Sequence, residues 1–191
     1  MDRDAQAVPD LLSQPGAREL IVIATPDEEA IAKIVEVQRL ATGYFGWVKP
    51  QKPETLHMTI CPLGEWDGEP ASLTSARRIC ADVQGRQSTT TLVRGLSFNL
   101  KRKKPYVLAA AKAHPDLLSL KHQIVDALRA SETRGESKSL TPHVSLNWGH
   151  GLVPEHPLKQ PIEWRTRGID LIISYIGEAR HKLVERWLFK D

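Results

Sequence analysis

The chain has 191 residues, 41% of them hydrophobic and 26% charged, with a formal net charge of +3. That balance describes one globular domain with a substantial core and excludes a disordered chain or a membrane protein. The mild positive charge suits a phosphate-bearing ligand and falls far short of the dense Lys/Arg stripe of a duplex-binding protein.

Residues 1–18 mix charges with Pro9, Pro15 and Gly16 and contain no apolar run. They read as a flexible arm, neither signal peptide nor membrane span, and leave 19–191 as a single domain. Residues 19–25 (ELIVIAT) form a buried strand, and Pro26-Asp27-Glu28-Glu29 starts a helix with acids in its first turn. Ile31, Ile34, Val35, Val37 and Gln38 mark its inner stripe to about Thr42, with Gly43 as the stop. A loop carrying Tyr44, Trp47, Pro50 and Pro53 leads to a strand over 55–61, ended by Pro62 and Gly64. A helix over 70–84 follows, then a strand over 89–99, the basic turn Lys101-Arg102-Lys103-Lys104 and a strand over 105–112, the two strands forming a hairpin. Pro115 opens a helix rich in leucine, residues 131–139 form a mobile polar loop, and a strand begins at Thr141. Residues 149–161 are a loop, and two strands, around 164–175 and 181–189, complete the chain. Cys61 and Cys80 form no Cys-x-x-Cys pattern and read as reduced packing thiols, which favours the cytoplasm.

The chain repeats itself. Thr55-Leu56-His57-Met58-Thr59-Ile60 aligns without a gap on Thr141-Pro142-His143-Val144-Ser145-Leu146, the histidines lying 86 residues apart at 57 and 143. The same offset carries Leu20-Ile21-Val22-Ile23-Ala24 onto Tyr106-Val107-Leu108-Ala109-Ala110, and each half has a helix between its apolar run and its motif. A lone His-x-Thr carries no weight, but a second copy behind a repeated strand and helix does. The fold expected is α+β: two pseudo-symmetric lobes, each a small, mostly antiparallel sheet backed by helices, with the motif strands facing each other across a central cleft.

On an extended strand, residues i and i+2 share a face, so each motif projects an imidazole beside a hydroxyl while Met58 or Val144 faces the core. Histidine titrates near neutrality, so one ring can serve as base and the other as acid. The two hydroxyls can donate to non-bridging oxygens as charge shifts. Such a set suits opening of a 2′,3′-cyclic phosphate and calls for neither metal nor cofactor.

These residues carry a resemblance to a known family. Trp47-Val48-Lys49-Pro50 through the first motif to Leu63-Gly64, and Tyr106-Val107-Leu108, Pro115 and the leucine-rich helix through the second motif, resemble the 2H phosphoesterase superfamily in its bacterial 2′-5′ RNA ligase and RNA 2′,3′-cyclic phosphodiesterase branch. The likeness spans most of 19–189. It implies a catalytic quartet of His57, Thr59, His143 and Ser145, with His57 as proton donor and His143 as acceptor. It also implies action on RNA ends or small cyclic nucleotides, with ATP-independent 2′-5′ ligation as the reverse reaction; a monomer is expected, though the sequence leaves the oligomeric state open. Ser145 stands where the family more often has Thr, which keeps the hydroxyl. Cys61-Pro62 replaces the usual apolar or basic pair at the edge of the cleft.

Lys101, Arg102, Lys103 and Lys104 are candidates to hold a backbone or terminal phosphate, and Tyr44, Trp47 and Trp148 to stack a base. A solvated turn and ordinary packing are the competing readings of these two groups. His150 and His156 are assigned to the surface. Zinc ligation by His57, His143, Cys61 and His114 is the chemical competitor, but the spacing matches no familiar zinc pattern and leaves the repeated hydroxyls unexplained. A nucleotide-binding module without turnover is the remaining alternative.

Overall fold

The computed structural model describes residues 18–45, 50–66, 68–98, 104–131, 138–149, 151–176, 178 and 180–190. The arm expected over 1–18 lies outside them except for Arg18, and most of the polar loop over 131–139 also falls outside. In chain order the elements are β1 (Arg18–Ala24), α1 (Glu28–Phe45), a 3-10 turn (Pro53–Thr55), β2 (Met58–Glu65), α2 (Pro70–Asp82), β3 (Ser88–Ser97) and β4 (Lys104–Ala110). Then come α3 (Pro115–Ala130), β5 (His143–Gly149), β6 (His156–Thr166), β7 (Gly168–Tyr175) and β8 (Arg180–Leu188). The strands form one sheet in the order β6-β3-β4-β5-β2-β1-β7-β8, antiparallel throughout. The α+β class and the expected hairpin, now β3–β4, are as the sequence indicates.

The two lobes are the halves of this sheet, β6-β3-β4-β5 and β2-β1-β7-β8, related by the 86-residue offset that carries β1 onto β4 and β2 onto β5. All three helices cover one face. On β1, Leu20, Val22 and Ala24 join the helix-side core, while Ile21 and Ile23 form a small cluster with Ile172 on the other face. α1 buries Ala30, Ile34, Gln38 and Ala41, the spacing of one helical face. The Ala30 amide donates to Asp27 Oδ1 at 2.9 Å, which caps the helix. α3 buries Leu117, Leu120, Ile124, Val125 and Leu128, and the His114 side chain accepts from the Asp116 amide at its N-terminus.

Four local expectations are corrected. α1 runs through Gly43 to Phe45; Gly43 lacks the positive φ of a glycine stop, so the helix has no reason to end there. The first motif strand starts at Met58, because Pro53–Thr55 make a 3-10 turn in which the Leu56 amide donates to the Pro53 carbonyl. That strand then passes through Pro62 and Gly64 to Glu65. It registers against β5 only at Met58↔Val144, so at Pro62 its one strand neighbour is β1, and a missing N–H there leaves no second ladder broken. Finally, the strand expected over 164–175 is two strands that part at Arg167 and pair in different halves, β6 with β3 and β7 with β1, and β6 reaches back to His156 through what reads as loop. Gly168 makes the break workable, since a Cβ there would lie 2.3 Å from the Trp187 carbonyl oxygen of β8.

The motif strands therefore do not stand on opposite walls. They are neighbours, and their seam joins the lobes through Met58 and Val144, both fully buried. Met58→Ala should lower unfolding stability by about 2–5 kcal/mol, measured by urea denaturation. A loss below about 1 kcal/mol would show that the seam does not depend on this contact.

Candidate active site

Antiparallel continuation of the Met58↔Val144 register sets His57 opposite Ser145 and Thr59 opposite His143. Their other neighbours place them on the face away from the helices: Thr59 pairs with Ile23, His143 with Ala109 and Ser145 with Val107, none of which belongs to the helix-side core. Two imidazoles and two hydroxyls thus form a crossed two-by-two array. Like groups lie on its diagonals, where neighbouring positions stand about 7–8 Å apart and their Cβ atoms somewhat closer.

Both histidines sit at strand entries in the same local geometry. His57 Nδ1–H donates to the Thr55 carbonyl at 2.8 Å, and His143 Nδ1–H to the Thr141 carbonyl at 2.7 Å. A carbonyl oxygen can only accept, so each contact fixes the proton on Nδ1 and leaves the Nε2 lone pair for chemistry. His156 makes the same contact to the Pro154 carbonyl at 2.9 Å, but its Nε2 meets the Tyr106 hydroxyl at 3.1 Å and its ring stacks on that tyrosine. The distinguishing feature of His57 and His143 is that Nε2 has no hydrogen-bond partner among the described residues. The hydroxyls of Thr59 and Ser145 are likewise not engaged by a described residue.

Burial is the main force on both imidazoles, pushing each below the usual histidine range against the opposing pull of the carbonyl that accepts from Nδ1. The charge of His143 lowers His57 further. Each ring also has an edge-on aromatic neighbour. Phe98, just past β3, packs against His143 with centroids 4.8 Å apart and planes at 70°; His181, on β8, packs against His57 at 4.8 Å and 80°. Burial, aided by the charge of His57, pushes His181 down to about 4. His181 pairs with Ser174 at the far end of β7 from the level of His57, so the sheet must curl along a diagonal for the rings to meet.

Sequence reasoning missed both packing rings. It also missed Arg94, which pairs with Ala109 and so lies on the site face two strands from His143, its Nη1 donating to Glu155 at 2.9 Å. A polar residue alternating with core positions in β3 or β8 was the only local signal, and any solvated strand gives it.

Of the secondary candidates, Lys101, Arg102, Lys103 and Trp47 lie outside the described residues, as does His150. Lys104 opens β4 opposite Gly149, Tyr44 is 84% exposed at the end of α1, and Trp148 is half exposed near the end of β5 opposite Pro105. Five residues of strand, about 16 Å, separate Trp148 from His143 along β5, and Lys104 lies beside Gly149 at that same far end, so neither is brought to His143. Cys61 and Cys80 are buried free thiols. Cys61 faces the helix-side core and His114 caps α3, so neither joins His57 and His143. Among the described residues no group of three or more His, Cys, Asp or Glu is placed to hold a metal ion, and no helix is long and apolar enough to cross a membrane.

No protein-family model and no curated protein sequence matches the chain. Solved structures do. LigT of E. coli in its apo form superposes with a TM-score of 0.74 at 16% identity, over 93% of this chain and 100% of that one. TT0787 of Thermus thermophilus gives 0.71 at 20% identity, over 90% and 97%. A protein described as a phosphoesterase gives 0.70 at 15%, over 91% and 99%. The chain has the fold of LigT, as its resemblance to the 2H phosphoesterase superfamily implies.

Proton NMR should show the C2–H resonances of His57 and His143 titrating with midpoints below the ordinary histidine value, and that of His181 moving near pH 4. Titration of the two motif histidines at or above pH 6.5 would contradict the burial described here.

Proposed function

We propose that the chain is a phosphoesterase that opens RNA or nucleotide 2′,3′-cyclic phosphates to 2′-phosphates by acid–base catalysis. The observation that carries the proposal is the crossed array, in which no described residue engages the two Nε2 lone pairs and two hydroxyls on one face of the sheet. With the phosphorus between the histidines, His143 Nε2 takes a proton from water as the water oxygen bonds to phosphorus. The bond from phosphorus to O3′ breaks, and His57 Nε2–H delivers a proton to that oxygen. Thr59 and Ser145 donate to the non-bridging oxygens. An imidazolium and two hydroxyls suffice for a singly charged, strained ester, so the reaction proceeds without a metal. With a 5′-hydroxyl in place of water as the nucleophile, the same displacement leaves a 2′-5′ phosphodiester and a free 3′-hydroxyl, which is ATP-independent 2′-5′ ligation.

LigT of E. coli is described in complexes with ATP, 3′-AMP and phosphate, which supports a nucleotide or phosphate ligand for the shared fold. Two buried free thiols fit a reducing compartment such as the cytoplasm. The competing reading, a nucleotide-binding module of the same fold, has no use for paired lone pairs held in one tautomer.

The test is to incubate the chain, freed of metal with a chelator, with a short RNA ending in a 2′,3′-cyclic phosphate and to follow the phosphorus NMR spectrum. The wild type should open the ester to a 2′-phosphate, whereas His57→Ala and His143→Ala should abolish turnover while keeping the fold. Thr59→Val and Ser145→Ala should each slow it by roughly 10² for a lost transition-state donor. The profile of kcat/KM, which reports the empty site, should be bell-shaped in pH, with its maximum acid of about 6.5 because both histidines are lowered there. Full activity in either alanine variant would overturn the proposal, and tight binding without turnover would favour the binding module.

A further inference from the structure

The two lobes meet the same packing requirement with different rings. Phe98 against His143 shows that a hydrocarbon ring is enough to hold a motif imidazole edge-on; against His57 the same place is taken by His181. An imidazole there brings two ring nitrogens into a half-buried position, and neither has a hydrogen bond to a described residue. Phe98 offers no such donor or acceptor. The difference between the lobes is explained if a ligand supplies the partner.

We propose that His181 is a third substrate-binding imidazole, donating an N–H to a non-bridging oxygen of the phosphoryl group held between His57 and His143. The proposal rests on the phosphoesterase reading for the identity of that group. The reach is adequate. An acceptor about 2.9 Å from a ring nitrogen lies about 4 Å from the ring centroid, and the centroids of His57 and His181 are 4.8 Å apart. One oxygen, or two oxygens of a single phosphate, can therefore meet both rings. The electrostatics fit as well. His181, pushed down to about 4 by burial and by His57, donates as a neutral ring at working pH and sets no second full charge against a protonated His57.

The test compares the wild type with His181→Phe, which reproduces the Phe98 contact without a donor, with His181→Leu as a second donor-free variant and with His181→Gln, which keeps an N–H. Two quantities are read: kcat and KM on adenosine 2′,3′-cyclic phosphate, and the Kd of inorganic phosphate by calorimetry. His181→Phe and His181→Leu should raise KM and the phosphate Kd at least about tenfold, the scale of one lost hydrogen bond to a charged group. In His181→Phe, kcat should change less than about threefold, and His181→Gln should recover much of the phosphate affinity. Wild-type KM and phosphate Kd in His181→Phe would overturn the inference, as would a fall in kcat alone, which would make His181 a positioning ring. If the wild type binds phosphate, weakens in His181→Phe and turns nothing over, the imidazole site stands and the catalytic reading falls.

Discussion

One cross-strand pair organises the molecule. Met58 and Val144 face each other at the seam with no exposed surface, and their burial in the helix-side core fixes the register of β2 against β5. Because side chains alternate along a strand, a slip of one residue would turn His57, Thr59 or their counterparts into that core, where imidazoles and hydroxyls would lose water without gaining partners. The apolar core thus holds the polar array in place by excluding the alternatives. The seam is also short. Past Val144, β5 leaves β2: the Leu146 carbonyl accepts from the Gln51 amide at 2.8 Å and from the buried Gln38 side chain at 2.9 Å, so a polar residue on the inner stripe of α1 supports the strand that β2 abandons.

For the proposed reaction a pseudo-twofold scaffold poses a chemical difficulty, since an acid and a base must differ while equivalent positions tend to match. The backbone makes them match: both Nδ1 protons are held by the carbonyl two residues upstream. The difference enters through the neighbours. His143 has a hydrocarbon ring at its edge, whereas His57 has a second imidazole and feels the charge of His143 as well as burial. The asymmetry comes from β8 and from the end of β3, elements outside the repeated motifs.

That origin explains what the sequence could and could not disclose. The array was legible because it depends on spacing alone: i, i+2 on a strand, duplicated at one offset behind a repeated strand and helix. Helices α1 and α3 were legible from their inner stripes. Pro62 reads as a strand end unless one knows that β5 has already departed, and Thr166-Arg167-Gly168 reads as continuous strand unless one knows that Gly168 touches the Trp187 backbone. Both are tertiary facts. Tyr44 and Trp148 became candidates by closeness in sequence, but a strand carries its residues away from one another at about 3.3 Å each, and the rings that do meet the motif histidines arrive from distant strands.

The lowered histidines give the site a dependence on its ligand. On the helix-free face, Ile21, Ile23 and Ile172 form an apolar cluster next to Thr59, and the surroundings that disfavour charge on an empty His57 or His143 also strengthen any charge pairing formed there. A phosphoryl anion placed between the rings reverses the balance, raising the affinity of the nearer imidazole for a proton when an acid is required. In the proposed reaction, an array whose burial disfavours charge when empty becomes an acid–base pair when an anion occupies it. The protonation that the proposed catalysis needs is then supplied by binding itself, and the fold need not hold an uncompensated imidazolium in a low-dielectric site.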